Sequence, residues 1–227
     1  MIFGSLGEEM RNLVGALAGL VLFASSASAS NLIVNGSFEG APVSNSVLAG
    51  GSSAISGWTT TNQGVEWFTP ASFGSVAQDG SAVVDLAWFT SNGNPGGGIA
   101  QTIATVIGQD YQLSFYGTTQ TGSGRDGTAV IDLSVAGGPL NSFNVENLAS
   151  SFGLGDWQQF FFEFTATSDF TTIEFRNRQN ASLHFANIDN VSVESIVTGA
   201  VPEPSTWLMM ILGLGIFAAF QRNRSRI

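Results

Sequence analysis

The chain of 227 residues holds 17 acidic side chains, 7 basic ones and a formal net charge of −10. All the basic residues are arginines, and between residues 30 and 200 only Arg125, Arg176 and Arg178 stand against 14 acids. Such a surface is repelled by a phosphate backbone, which excludes nucleic acid as a partner. The absence of cysteine excludes disulfides, thiolate zinc sites and cysteine nucleophiles, and the single His184 excludes a histidine-rich zinc site.

At the front, Leu13 to Ala24 is an apolar run, followed by Ser25-Ser26-Ala27-Ser28-Ala29-Ser30. Ala27-Ser28-Ala29 supplies the small residues of a signal-peptidase site, so residues 1–29 read as a signal peptide with one apolar helix. Glu8 and Glu9 put negative charge where a leader carries positive, and Met10-Arg11-Asn12 makes a better opening. The functional start is therefore expected at Met10.

Residues 30–198 form the body, which is rich in Gly, Ser, Thr, Asn and Phe. Alternating apolar runs between turn clusters predict strands at Ala82–Leu86, Ile99–Ala104, Tyr111–Tyr116, Val130–Val135, Gln158–Thr165, Thr172–Phe175 and Ile188–Val193. In the run Phe160 to Phe164 a period of two places Phe160, Phe162 and Phe164 on one face and Phe161 and Glu163 on the other. Repeated alternation implies antiparallel sheets with one buried face each, packed as an all-β sandwich or jelly roll. Residues 41–56, Ser91 to Gly98 and Thr121 to Gly127 read as loops, the last with an Asp-Gly hairpin signal.

The order of short motifs resembles the galactose-binding-like jelly rolls, a group that includes carbohydrate-binding modules. The motifs are Asn31-Leu-Ile-Val-Asn-Gly-Ser-Phe-Glu39, Gly57-Trp58, Ile99-Ala-Gln-Thr102, Tyr111-Gln-Leu-Ser-Phe115, Trp157 to Ala166 and Ile188-Asp-Asn-Val-Ser-Val193. The resemblance implies that the first of these is the N-terminal strand, lying beside the last. It also implies that Glu39 and Asp189, at positions that share a structural calcium in such modules, form a calcium site here. Hard carboxylate and carbonyl oxygens suit Ca²⁺.

Sugar binding needs an exposed flat ring flanked by hydrogen-bonding groups. Trp58, Trp67, Trp88 and Tyr116 are candidates, with Asn62, Gln63 and Glu66 near them in sequence. Trp58 and Trp157 are expected in the core. Trp88, beside the Gly-rich loop, and Trp67 are the expected ligand-binding residues. No spacing among Asp79, Asp85, Asp132 and Glu163 singles out a catalytic pair, and lone His184 is expected to be structural, so no enzymatic activity is expected.

The tail, residues 199–227, opens on Val201-Pro202-Glu203-Pro204, whose prolines hold the chain extended. A 14-residue apolar helix is expected from Trp207 to Phe220, followed by a basic end, 221–227, with Arg222, Arg224 and Arg226. Spanning a bilayer normally takes about 20 apolar residues, so this helix is short for a transmembrane segment and would rely on snorkelling arginines. Motif, helix and basic end, in this order, resemble the PEP-CTERM sorting signal of Gram-negative bacteria. That resemblance implies export, a transient stay in the inner membrane, processing by an exosortase-type protease, and delivery to the cell surface or an exopolysaccharide matrix. The body is accordingly expected to associate with extracellular polysaccharide, the alternatives being a structural envelope or biofilm protein without a specific ligand or, as a third reading, a carbohydrate-active hydrolase.

Overall fold

The computed structural model describes residues 30–41, 45–87, 96–122, 124–147, 153–180, 182–196 and 209–216. All described strands fall within the compact unit Ala29–Ile196. In chain order they are β1 Ser46–Leu48, β2 Thr59–Asn62, β3 Val65–Phe68, β4 Val83–Asp85, β5 Gly97–Ala104, β6 Asp110–Thr118 and β7 Gln120–Gly122. There follow β8 Arg125–Asp126, β9 Thr128–Val135, β10 Asn141–Glu146, β11 Gly153–Leu154, β12 Gln158–Thr165, β13 Phe170–Asn177 and β14 Asn187–Ser195. A six-stranded sheet runs β1-β3-β4-β14-β6-β12, a five-stranded sheet β10-β9-β13-β5-β2, and a small third sheet β11-β7-β8. Every pairing is antiparallel.

The two large sheets pack face to face, as the period-two pattern predicts. Leu113 and Phe115 of β6 and Ile188 and Val193 of β14 meet Ile131 and Leu133 of β9 and Ile173 and Phe175 of β13, all fully buried. Phe115 sits edge-on to Phe175, with ring centroids 4.9 Å apart. On β12 the predicted alternation holds, but Phe160, Phe162 and Phe164 are only half-buried, because β12 is an edge strand. Beside that edge, Phe162 and Phe164 line a cavity of about 300 Å³ with Val135 and Pro139 from the other sheet.

Several sequence expectations are corrected. The expected loop over residues 41–56 contains β1, which pairs with β3. Gly97 and Gly98, expected in a loop, extend β5, because a Cβ on Gly98 would lie 2.4 Å from Thr61 Oγ1 on β2. The stretch 121–127 forms the β7–β8 hairpin rather than a plain loop. Residues 31–39 do run beside β14, with Leu32 N–H donating to Val193 O at 2.8 Å and Val191 N–H donating to Gly36 O at 2.9 Å. They form turns rather than a strand, since Asn35 and Phe38 take left-handed φ of 54° and 56°.

In the tail, the described part of the expected 207–220 helix is Met209–Ile216, an exposed helix about 12 Å long. Among the described residues no helix is long and apolar enough to cross a membrane. The signal helix, the motif Val201-Pro202-Glu203-Pro204 and Arg222, Arg224 and Arg226 lie outside the described residues.

Candidate functional site

Glu39 and Asp189 are brought to one loop, residues 78–82, which they hold from two sides. Glu39 Oε1 accepts N–H from Ser81 and Ala82 at 2.8 and 3.1 Å, and Oε2 accepts the Ser81 hydroxyl at 2.7 Å. Gly80, with φ +62°, lets the loop close on this carboxylate, because a Cβ there would lie 2.3 Å from Oε1. Asp189 Oδ2 accepts N–H from Gln78 and Asp79 at 2.8 and 2.9 Å, and Oδ1 accepts Asn190 N–H at 2.7 Å. The two environments separate the carboxyls. At half-buried Glu39, burial pulls the pKa up, but the bonds from Ser81 and Ala82 outweigh it and hold the group below its ordinary range. At Asp189, fully buried, burial pushes it up to about 7 against three N–H donors, and the charge of Asp79 adds to the rise.

The tryptophans divide differently from the sequence expectation. Trp58 is core, as expected, with its indole N–H on Asn35 O at 2.9 Å and its ring 5.2 Å from Phe38. Trp67, expected to bind a ligand, is core as well. It is 8% exposed and donates its indole N–H to Phe38 O at 2.7 Å, so its face is not free to stack on a sugar. The inward phase of Val65 and Trp67 on β3 is the physical reason. Trp88 lies outside the described residues. Trp157, expected in the core, is half-buried, with its indole N–H on Val76 O at 3.3 Å. Tyr116 is half-buried on the outward side of the six-stranded sheet.

That outward side carries a polar rung across four strands: Glu66 of β3, Asp85 of β4, Asn187 of β14 and Thr118 of β6 are successive cross-strand neighbours. Asp85, Asn187 and Thr118 are nevertheless fully buried. Gln120 of β7 reaches Asp85 Oδ2 at 3.4 Å, and the Arg125 guanidinium of β8 lies 3.9 Å over the Phe185 ring. Burial pushes the Asp85 carboxyl well above its ordinary value. Ala87 N–H opposes the rise, Glu66 adds to it and Arg125 opposes it. The other acids considered for catalysis are spread apart. Glu163 is exposed on β12, three strands along the sheet from Asp85, while Asp132 lies on the five-stranded sheet, bound by Arg178 at 2.9 Å. His184 Nδ1 sits 2.8 Å from Thr128 O and 3.4 Å from Asp126, a structural tie between β14's approach and the β8–β9 corner.

The outward side of the five-stranded sheet is open. Thr172, Glu174 and Arg176 alternate outward on β13 while Ile173 and Phe175 point into the core. On the neighbouring strand β5, Gly98 and Ala100 oppose Arg176 and Glu174 and leave a shallow floor. Glu174 accepts from Arg176 at 2.5 Å and from Thr61 at 2.8 Å. Burial raises its carboxyl, but those two partners outweigh burial and hold it below the ordinary range.

At one end of this face a cleft of about 490 Å³ is lined by Ser134, Thr167, Ser168, Phe170, Thr172 and Glu174. The Phe170 ring is 66% exposed, and Thr172 shares its hydroxyl with Thr102 at 2.8 Å. This is the arrangement the sequence argument required, an exposed ring among hydroxyls and a carboxylate, built from residues it did not name. A signal was present: Phe170 is out of phase with Ile173 and Phe175 on the same strand.

Comparison with known proteins places the chain. The family described as a protein of unknown function, DUF642, matches residues 31–194, and the PEP-CTERM protein-sorting motif matches residues 200–225. Halomucin of Haloquadratum walsbyi is 31% identical over 193 residues, covering 80% of this chain. The chain spans 2% of the length of that relative. Among solved structures, TmCBM61 in complex with β-1,4-galactotriose aligns with a TM-score of 0.43 at 16% identity, over 74% of this chain and 100% of that one. The CBM22-1 xylan-binding domain from Paenibacillus barcinonensis Xyn10C aligns with a TM-score of 0.42 at 10% identity, over 77% and 100%. With a match over most of its length, the chain belongs to the DUF642 family and carries behind that domain a PEP-CTERM motif, which marks it for export and surface sorting.

Proposed function

We propose that the sandwich is a non-catalytic module that associates with extracellular glycan through the outward side of its five-stranded sheet. The observation that carries the reading is the cleft in which the exposed Phe170 ring stands beside Ser134, Thr172 and Glu174. The C–H face of a sugar ring stacks on an aromatic side chain, while its hydroxyls need donors and acceptors at the rim. Asp85, Asp132 and Glu163 lie on separate strands, and Asp85, the cross-strand neighbour of Glu66, is fully buried, which supports a binding role over glycoside hydrolysis, since that needs two carboxyls facing a cleft. The sorting motif supports delivery through the inner membrane of a Gram-negative bacterium, with an exosortase-type protease acting at the tail and release to an exopolysaccharide matrix.

Calcium belongs to the same proposal. Asp189 offers hard oxygens, and burial pushes its carboxyl to about 7, so a divalent cation would neutralise a charge the fold otherwise buries. Among the described residues no three His, Cys, Asp or Glu side chains cluster as a ligand set, so backbone carbonyls would have to complete one around Glu39 and Asp189.

A glycan array with the purified full chain and its Phe170→Ala variant tests the reading. Binding to at least one glycan class, reduced tenfold or more by the substitution, is expected. No binding to any glycan would leave a structural envelope protein without a specific ligand.

A further inference from the structure

Along one flank of the sandwich the two large sheets end side by side, the five-stranded sheet in β10 and the six-stranded sheet in β12. Phe143 of β10 meets Phe160 of β12 with ring centroids 5.3 Å apart, and Gln158 Nε2 donates to Glu146 O at 2.9 Å. Of the described strands that end a sheet, β12 is the longest, with eight residues against six for β10 and two to four for the rest. A long edge is a template for another strand unless proline, lysine or a bulge blunts it. β12 has none of these. Its ladder with β6 runs from Gln158–Gly117 to Thr165–Asp110 without a register shift, and its one charge is Glu163.

The side chains of this edge are unfinished as well. Phe160, Phe162 and Phe164 point toward the core yet stay half-buried, and Phe161 is 54% exposed on the outward side. Among the described residues, no main-chain hydrogen bond reaches β12 beyond its ladder with β6. The edge therefore offers unpaired N–H and C=O groups together with a row of phenylalanine surface that a further strand would cover.

We infer that β12 pairs antiparallel with β12 of a second copy of the chain, about a two-fold axis at Phe161, so that the two six-stranded sheets run on as one. Side-chain chemistry selects this register. Opposed residues share a face of the sheet, so the axis must pass through a residue. With the axis at Phe161, that ring meets its own copy outside and Phe160 meets Phe162 inside. Glu163 then meets Gln159, whose amide donates to the carboxylate. An axis at Phe160 would set Phe162 against Gln158, and one at Phe162 would set Glu163 against Phe161. An axis at Glu163 would bring two carboxylates together, which repel. In the selected register Phe160 of the second copy lies beside Phe162, at the flank cavity that Phe162 and Phe164 share with Val135 and Pro139. The pair is isologous and closes on itself, so it ends at two copies. The pairing does not depend on glycan binding.

The chain has no cysteine, so disulfide trapping can read the register directly. Opposed residues of an antiparallel pair lie within the Cα separation that a disulfide spans. The full chain in detergent micelles carries Phe161→Cys, Gln159→Cys, Glu163→Cys or, on the edge strand β1 at the far end of the same sheet, Val47→Cys. Under mild oxidation, Phe161→Cys is expected to form covalent dimers roughly fivefold or more in excess of each of the other three alone. A mixture of Gln159→Cys and Glu163→Cys, which keeps the Phe161 ring, is expected to cross-link like Phe161→Cys. Equal trapping at all four positions would point to contact through other parts of the chain and overturn the inference. So would trapping that is strongest for Glu163→Cys or Gln159→Cys alone, or its absence from both Phe161→Cys and the mixture.

Discussion

On the six-stranded sheet the outward rung Glu66–Asp85–Asn187–Thr118 lies beneath Gln120 and Arg125 of the small third sheet, and three of its four members have no solvent exposure. On the five-stranded sheet the outward charges pair with one another, half-buried Glu174 with Arg176 and buried Asp132 with half-exposed Arg178. Both faces carry polar residues, yet the rung of one is buried under a further layer, whereas Phe170 and Thr172 of the other are exposed. Polar alternation on a strand therefore says which side faces away from the core, and not whether that side meets water. The exposed Phe170 ring makes the five-stranded side the proposed ligand face.

Substitutions on the two faces should separate accordingly. The largest effect is expected at Asp189→Ala, which leaves the N–H groups of Gln78, Asp79 and Asn190 without their acceptor. A loss of about 3 kcal/mol, read from urea midpoints, is expected. If Asp189 also holds calcium, adding the ion should raise the melting temperature of the natural chain and leave that of Asp189→Ala unchanged. A next, pH-dependent effect is expected at Asp85. Its carboxyl is raised in the fold, so the folded state holds a proton that the unfolded chain releases near the ordinary value of 3.8. The stability contribution of that proton is complete below this value and is lost as pH rises toward the folded pKa. Asp85→Asn should flatten the decline in melting temperature as pH rises above 3.8.

On the open face the effects should be smaller. Arg178→Ala takes a charged partner from buried Asp132, which keeps the Ser142 hydroxyl, and should cost about 1 to 2 kcal/mol. Phe170→Ala should be nearly silent for stability, within about 0.5 kcal/mol, because the ring is exposed. Equal costs at Asp189 and Arg178 would erase the distinction between the faces.

The sandwich was largely legible from local pattern, because strands such as β12 and β6 alternate cleanly and their inward phenylalanines declare the core. Most strands that escaped were short: Ser46–Leu48, Thr59–Asn62 and Val65–Phe68 form through pairing with partners distant in sequence, and the β7–β8 hairpin pairs locally; the six-residue β10 also escaped, although its Phe143 and Val145 share one phase. The meeting of Glu39 with Asp189 at one loop followed from motif order, although the separate N–H donors that each takes from residues 78–82 did not. The aromatic choice failed at Trp67 because a tryptophan with a carbonyl within reach of its indole N–H is easily buried, and Phe38 O supplies one. Phe170 lies outside the predicted strand Thr172–Phe175, and its outward phase shows only once β13 is extended to begin there.

The claim that the five-stranded face is the binding face is tested most directly by comparing one outward aromatic from each face. The affinity of the full chain for the strongest-binding glycan of the array can be measured for Phe170→Ala and for Tyr116→Ala on the six-stranded sheet. The account predicts a loss of at least tenfold, about 1.4 kcal/mol, for Phe170→Ala and an unchanged affinity for Tyr116→Ala. Loss at Tyr116 with full affinity at Phe170 would contradict it.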